Sequence, residues 1–331
     1  RALEVLERGQ LISQGHPGST RLVRRHPELR TGVMADSIAL LSDLTQTPAD
    51  AYEAISTDRL EYYLARDIHE RGLHMLRLSL PALRAQGVAQ IMQNPPLGVI
   101  VTYRMAEQPD ITDLLAALKQ ADIPVVVNSE EPHLAAFDTV VSDQEAGAHA
   151  LTRHLLDSGR RRIIQCWFGP LDHTWKHARA QGYQRAMRES GFEPLPPLHI
   201  SLSNPVFHAG LPRERFDFFR RLIAGYLTEA VLSSKPPDAL MMQSDVWTAR
   251  TIAACRMLGK SPHEDIAVAG YDYFAHILPD AQWEHLPPFA TVDKCHEATS
   301  RIILDLLKEK PTQSDHSPRK IIVGSRLITP K

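Results

Sequence analysis

The chain is poor in cysteine and in aromatic residues, and it carries no surplus of charge. Three cysteines in 331 residues, Cys166, Cys255 and Cys295, are an odd and widely spaced set. Such a set suits a reducing compartment, here the cytoplasm, better than a disulfide framework. Formal net charge is −2, so the chain as a whole is no basic clamp on nucleic acid. Contact with DNA would need a small local module. No apolar run approaches the ~20 residues of a membrane-spanning helix, and no signal peptide opens the chain, which begins mid-pattern at Arg1-Ala2-Leu3. HExxH, paired CxxC, an acidic metal loop, a P-loop, GxGxxG ahead of a helix and GxSxG are all missing. No cofactor and no metal are therefore expected, despite 16 histidines. Cys295 and His296 are neighbours on an expected helix, where adjacent side chains point apart, so a shared ligand is not expected.

What is present is enough apolar sequence, 43%, for sizeable cores, over a length that suits two domains or two lobes. Short apolar runs alternate with amphipathic segments, which by itself gives only an α/β class. Expected strands are Thr31–Ala35, His74–Leu80, Leu97–Thr102, Ile123–Asn128, Val140–Ser142, Ile163–Phe168, Pro236–Met242 and Asp265–Gly270. Thr57 is the expected cap of a helix carrying Leu60, Leu64 and Ile68. Ile111–Gln120 and Gln144–Asp157 are further helices, the second opened by a Ser142/Glu145 capping box and closed by Gly159. Val246, Ala249, Ala253 and Met257 form the expected buried face of another. Arg160–Arg162 reads either as a nucleic-acid patch or as the polar end of a helix before a chain crossing; the helix-dipole reading is preferred. Phe207, Phe216, Phe218 and Phe219 suit a core or a loop over a cleft.

Several stretches resemble the effector-binding core of LacI/GalR repressors. They are Val140-Val-Ser-Asp143 with the helix through Gly147, Ala150, His154 and Leu155 to Gly159-Arg-Arg-Arg-Ile163; Arg179-x-x-Gly182-Tyr183; Gly270-Tyr-Asp-Tyr273; and Pro287 to Leu307. The resemblance implies a two-lobed, periplasmic-binding-protein-like α/β fold, each lobe a doubly wound parallel sheet with helices on both faces. The first lobe would take residues 30–159 and 290–312, the second 160–287 and 318–331. It further implies a homodimer through the core, no membrane partner, and a small-molecule effector, a sugar or related metabolite, between the strand tips. Sugars offer hydroxyl pairs and an apolar ring face, so their sites need fixed carboxylates, amides and arginines beside aromatic faces. Strand ends and the loops after them supply Asp36, Tyr103, Arg104, Asn128, Trp167, Arg179, Asp245 and Asp272, with His173 and Trp175 leading into Arg179. Arg179 could hold two ligand oxygens on its planar fork or merely solvate a lobe edge. Trp167 and Trp175 could stack on a ring or fill the core. Asp245 could cap a helix, contact ligand, or both; Thr248 stands where the family has Ala. Asp272 matches the first Asp of the family's G-Y-D-D, and Tyr273 replaces the second.

The front, residues 1–25, is similar to the end of a GntR-type winged helix: a helix through Ala2, Val5 and Leu6, then strands at Leu11-Ile12-Ser13 and Arg21-Leu22-Val23 around a Gly/Pro turn. In that reading Arg21, Arg24 and Arg25 meet phosphates of operator DNA; otherwise they are a solvated linker. The expected function is a ligand-responsive transcriptional regulator, not an enzyme. The alternatives weighed are a periplasmic sugar-binding transport protein and, third, a sugar hydrolase using Asp245 and Asp272.

Overall fold

The computed structural model describes residues 12–13, 22–23, 36–41, 51–79, 91, 95–106, 108, 111–169, 173–201, 212–309 and 317–329. At the front, β1 (Ile12–Ser13) and β2 (Leu22–Val23) pair antiparallel, Ile12 opposite Val23. Arg21, Arg24 and Arg25 lie outside the described residues, as do 31–35 and Phe207.

The first lobe begins with β3 (Ser37–Leu41), all five residues buried. Then come α1 (Ala51–Glu70), β4 (His74–Leu78), β5 (Gly98–Val101), the short α2 (Tyr103–Ala106), α3 (Ile111–Gln120), β6 (Val125–Val127) and β7 (Asp138–Ser142). The expected strand Thr31–Ala35 lies outside the described residues, while Ser37-Ile-Ala-Leu-Leu41, which was not expected as a strand, registers with both β4 and β5. Asp36 stands in an exposed turn at the amino end of β3. Thr57 falls inside α1 and is not its cap, while Leu60, Leu64 and Ile68 are buried as the spacing predicts.

The second lobe holds α4 (Gln144–Asp157), β8 (Ile163–Phe168), α5 (Thr174–Glu189), β9 (Leu198–Ile200), α6 (Pro212–Val231), β10 (Ala239–Met242), α7 (Thr248–Met257) and β11 (Ala267–Ala269). Its sheet runs β11-β10-β8-β9, all parallel. Every residue of β8, β10 and β11 is buried, as befits strands covered by helices on both faces. Phe219 of α6 belongs to this core and Phe218 packs against it, while Phe216 is buried beside Trp283. Of the expected face of α7, Val246 and Ala253 are buried, Ala249 is half-buried and Met257 is 49% exposed; Ile252, Ala254 and Cys255 join the buried residues.

The chain crosses between lobes earlier than expected. Ala148, Leu151, Leu155 and Leu156 of α4 pack with Ile163, Met241 and Ala267, so α4 belongs to the second sheet and the crossing falls near Ser142. Asp143 caps α4, its Oδ1 accepting from the Ala146 amide at 2.8 Å. Ser142 instead donates to the Lys294 carbonyl. Gly159 ends the helix at φ +94. Arg160 donates to the carbonyls of His263, Glu264 and Asp265, and Arg162 to those of Lys235 and Pro236, so this basic run stitches loops of the second lobe. After β12 (Thr291–Asp293), α8 (His296–Lys308) returns to the first lobe, packing Ile303, Leu304 and Leu307 on Leu60 and Leu64. Then β13 (Lys320–Val323) extends the first sheet beside β7, giving the order β13-β7-β6-β5-β3-β4, and β14 (Arg326–Ile328) pairs antiparallel with β12. Residues 318–331 are thus not simply second-lobe: β13 joins the first sheet and β12–β14 forms a separate ribbon.

Candidate functional site

The carboxyl ends of both parallel sheets open on one cavity of about 240 Å³, the position where open α/β sheets take ligands. Tyr103, Asn128 and Ser129 reach it from the tips of β5 and β6. Phe168, Gln243 and Asp272 reach it from the tips of β8, β10 and β11, and Trp175 and Arg179 from α5. Lys294, just after β12, and His296, the first residue of α8, close the side where the lobes connect.

Arg179 is the anchor. It is 3% exposed, an arrangement that requires its donors to be matched. Nε donates to Gln144 Oε1 at 2.8 Å, and Nη1 donates to the Gln243 carbonyl. Its guanidinium lies 3.5 Å from the Tyr271 ring centroid and 4.6 Å from that of Trp175, a sandwich suited to a planar cation. The helix that presents it is pressed against α4 at Gly182, where a Cβ would come within 2.1 Å of the Glu145 carbonyl oxygen. Tyr183, one residue on, is buried and donates to the Ile163 carbonyl.

Asp272 lies opposite, 3% exposed, with Oδ1 2.8 Å from Lys294 Nζ and 3.6 Å from Arg179 Nη2. Burial raises its carboxyl, but Lys294 and Arg179 more than offset that and hold it below the ordinary range. Burial lowers Lys294, and Arg179 adds to the effect against the pull of Asp272. Asp272 and Tyr273 both sit at positive φ, +93 and +54, where non-glycine residues are strained. The loop is over-determined around them. Asp272 N–H donates to the Val292 carbonyl at 2.7 Å, and Arg59 of α1 donates to the carbonyls of Asp272 and Tyr273.

Apolar walls complete the cavity. Phe168 and Trp247 stack at 3.9 Å with rings 3° from parallel, and His173 stacks on Trp175 at 5.8 Å. Lys176, 4% exposed, donates from Nζ to the Phe168 carbonyl at 2.8 Å. His296 is 7% exposed, and neither ring nitrogen has a hydrogen-bond partner among the described residues. Burial, then Lys294, holds its imidazole well below the ordinary histidine value, so the ring is neutral.

Of the expected residues, Tyr103, Asn128, His173, Trp175, Arg179 and Asp272 are brought together here. Asn128 also donates to the Val140 carbonyl at 2.7 Å. Arg104 stands in α2 beside Tyr103, and its side chain lies outside the described residues. Three others are not brought in. Asp36 is at the wrong end of β3. Trp167 is buried, 5% exposed, and does not line the cavity; its ring lies 6.4 Å from that of Trp175. Asp245 is fully buried: Oδ2 accepts from the amides of Phe274 and Ala275, and Oδ1 accepts from Thr291 Oγ1 at 2.8 Å. Its carboxylate ties the loop after β11 to β12; Ser244 caps the 3-10 turn Asp245–Trp247, and α7 itself has no side-chain cap. Burial first, then Asp272, pushes its carboxyl up to about 7. A hydrolase using Asp245 and Asp272 as paired carboxylates is incompatible with that geometry. Gln144, Gln243, Trp247, Lys294 and His296 also line the cavity and were not among the expected site residues. Lys294 and Gln243 each follow a buried strand directly, which is the signal that identified Asp272.

A family model described as "Periplasmic binding protein-like domain" matches residues 152–329, and one described as "Periplasmic binding proteins and sugar binding domain of LacI family" matches 72–210. The HTH-type transcriptional repressor PurR of Aliivibrio fischeri (strain MJ11) is 24% identical over 225 residues, 66% of this chain and 60% of that protein. The ribose operon repressor of Escherichia coli (strain K12) is 26% identical over 193 residues, 58% of this chain and 52% of that one. The chain thus spans about 60% or less of the length of these curated relatives. Among solved structures, the transcriptional regulator CelR–cellobiose complex superposes with a TM-score of 0.65 at 20% identity, covering 89% of this chain and 84% of the other. Among the described residues no helix is long and apolar enough to cross a membrane. With two parallel-sheet lobes meeting around one cavity and a family model covering more than half its length, the chain belongs to the periplasmic-binding-protein-like domain family and carries a core of the LacI-regulator type.

Proposed function

We propose that this chain is the sensing core of a cytoplasmic transcriptional regulator, in which a sugar or related small metabolite enters the interlobe cavity and alters DNA binding by a homodimer. The observation that carries the reading is the buried Arg179–Asp272–Lys294 set at the strand tips, faced by the aromatic walls of Trp175, Phe168 and Trp247. Such a set offers fixed charged partners for hydroxyls beside flat apolar surface, which is what a saccharide requires. Relatives named as transcriptional repressors, and a structural neighbour in complex with cellobiose, support it. Tyr103, Arg104, Asn128, His173, Trp175, Arg179 and Asp272 are the proposed effector contacts. The β1–β2 hairpin supports reading residues 1–25 as the tail of a winged helix, with Arg21, Arg24 and Arg25 against operator phosphates. A ligand acts on DNA binding only through its differential affinity for two arrangements of the lobes. A melting-shift screen against monosaccharides tests the proposal. Arg179→Ala and Asp272→Ala are each expected to remove the shift while the unliganded proteins still melt cooperatively. An unchanged ligand response in both variants would remove these residues from the site.

A further inference from the structure

His296 lines the cavity, is 7% exposed, and has neither ring nitrogen hydrogen-bonded among the described residues. Six other polar side chains on the first-sheet side of the cavity are each engaged by the protein. Thr102 Oγ1 donates to the Leu41 carbonyl, Asn128 Nδ2 to that of Val140, and Ser142 Oγ to that of Lys294. Ser129 Oγ accepts from the Glu131 amide, Glu131 Oε1 accepts from Thr174 Oγ1, and Glu130 pairs with Lys320. A buried imidazole without a partner has given up its hydrogen bonds to water and gained none, a loss that an apolar ring of similar size avoids. Packing therefore gives no reason for a histidine at this position, whereas a ligand does. Burial, with the Lys294 ammonium beside it, keeps the ring neutral, so it offers one N–H donor and one bare acceptor nitrogen. A hydroxyl both donates and accepts, and so meets whichever nitrogen faces it. A carbonyl or ether oxygen only accepts, and meets the protonated nitrogen alone. The ring is also fixed in place. His296 opens α8, whose Ile303, Leu304 and Leu307 pack in the first lobe. Just ahead of it the Cys295 amide donates to Asp293 Oδ1 at 2.9 Å, and Arg326 holds the other oxygen of that carboxylate, also at 2.9 Å. A polar group on so rigid a support discriminates between ligands better than one on a mobile loop. Asp272 enters the same cavity from the second sheet, so a ligand that meets both side chains spans the lobes.

We propose that His296 is a specificity-determining residue of the effector cavity, its ring hydrogen-bonding one hydroxyl of the ligand from the first lobe while Asp272 holds the ligand from the second. A site built to hydrogen-bond a hydroxyl rejects the analogue lacking it, because the buried polar group is then left unpaired. The inference rests on the sensor reading above, and the experiment separates the two. D-Ribose, D-glucose, D-galactose and D-mannose, each with its monodeoxy derivatives, are titrated by calorimetry into the native protein, His296→Phe and His296→Leu, and the three unliganded proteins are melted. The native protein is expected to bind at least one parent sugar, and one deoxy derivative of that sugar ten-fold or more weaker. At least one variant should melt no lower than the native protein, since it removes an unpartnered polar ring, and binding is compared on that variant. It should bind the parent ten-fold or more weaker, to within three-fold of its affinity for the same deoxy derivative. Native-like discrimination in that variant would overturn the inference and leave the sensor reading standing. So would a native protein that binds sugars but takes every deoxy derivative as well as its parent. Loss of both ligands below detection in a variant that melts normally would overturn the single-hydroxyl assignment. Both variants melting lower than the native protein would make His296 a structural residue and overturn it too. Binding of no member of the panel by the native protein would overturn the sensor reading as well.

Discussion

Asp272→Asn keeps the shape of the site and removes its central charge. In the native cavity one carboxylate oxygen faces Lys294 Nζ at 2.8 Å and Arg179 Nη2 at 3.6 Å. At an effective dielectric constant of ~20 these pairs are worth roughly 6 and 5 kcal/mol of Coulomb attraction. Those gross figures are offset in the variant, because the desolvation of Asp272 disappears and Lys294, already a weakened base, can shed its proton. Breaking a buried pair by removing one partner costs about 3–5 kcal/mol in practice, and the lower half of that range is expected here. Lys294→Met should cost less, because Asp272 keeps Arg179. The double variant should recover part of the loss, since it removes the stranded ammonium, giving a coupling of about 2 kcal/mol. Urea unfolding followed by tryptophan fluorescence reads this directly: Trp167, Trp175, Trp247 and Trp283, all four tryptophans of the chain, lie in the second lobe with Asp272. The pH dependence supplies a second arm. A carboxyl held below its ordinary 3.8 stabilises the fold above that pH, and the contribution is lost as pH falls through the folded value. The Asn variant should lack that acid-side loss. A cost under ~1 kcal/mol together with additive single variants would mean that this ion cluster does not organise the cavity.

Asp245 should behave in the opposite sense. Its carboxyl is raised from 3.8 to about 7, so the stabilisation is complete below the ordinary value and disappears as pH climbs through about 7. Asp245→Asn, whose amide can accept from Phe274 and Ala275 and donate to Thr291, should flatten the melting temperature between pH 4.5 and 8; an unchanged slope would assign that slope to other groups. Gly182→Ala places a methyl 2.1 Å from the Glu145 carbonyl oxygen and 2.9 Å from the His149 amide nitrogen, and should cost at least the ~1–3 kcal/mol of an overpacked core. Gly225→Ala in α6, with open space around it, should be neutral or stabilise by up to ~1 kcal/mol; thermal melts of the pair check both. Arg59→Ala removes the first-lobe donor to the Asp272 and Tyr273 carbonyls. It should weaken effector binding several-fold in calorimetry with little change in melting temperature, and equal affinity would deny it that role.

The two-lobed architecture was legible because its strands are short, buried and followed at once by polar residues. Arg179 and Asp272 were legible for the same reason, together with their motifs. The strand Ser37–Leu41 was not read because a short apolar run carries little signal of its own, and pairing with β4 and β5 is what defines it. Asp36, expected at a strand's carboxyl end, therefore stands at its amino end. Asp245 was misread because a carboxylate after a strand looks the same in sequence whether it faces ligand or backbone amides. What decides is Gly270, where a Cβ would stand 1.9 Å from Asp245 Oδ1, so this close approach of loop to carboxylate turns the acid inward. Lys294 was missed because β12 is only three residues long and its tip reaches the cavity through pairing with β14, a contact between distant parts of the chain.

The same loop explains how an occupant of the cavity could be felt outside it. Asp272 and Tyr273 are held at positive φ, a conformation that costs of order 1–3 kcal/mol per residue unless its surroundings enforce it. The surroundings come from both lobes. Asp245 and the Val292 carbonyl hold the loop from the second lobe and the connecting ribbon, and Arg59 holds it from α1 of the first. Lys294, which pairs with Asp272 at 2.8 Å, sits on the segment that carries the chain back to the first lobe. A ligand group that competes with Asp272 for Lys294 therefore changes the balance of contacts on a strained segment to which both lobes are tied. Because α8 packs on α1 through Leu60 and Leu64, the element carrying His296 and the helix carrying Arg59 must move together. Any difference in how the ligand meets Lys294 and Asp272 in two lobe arrangements then becomes a difference in free energy between those arrangements, which is the sole requirement for a sensor.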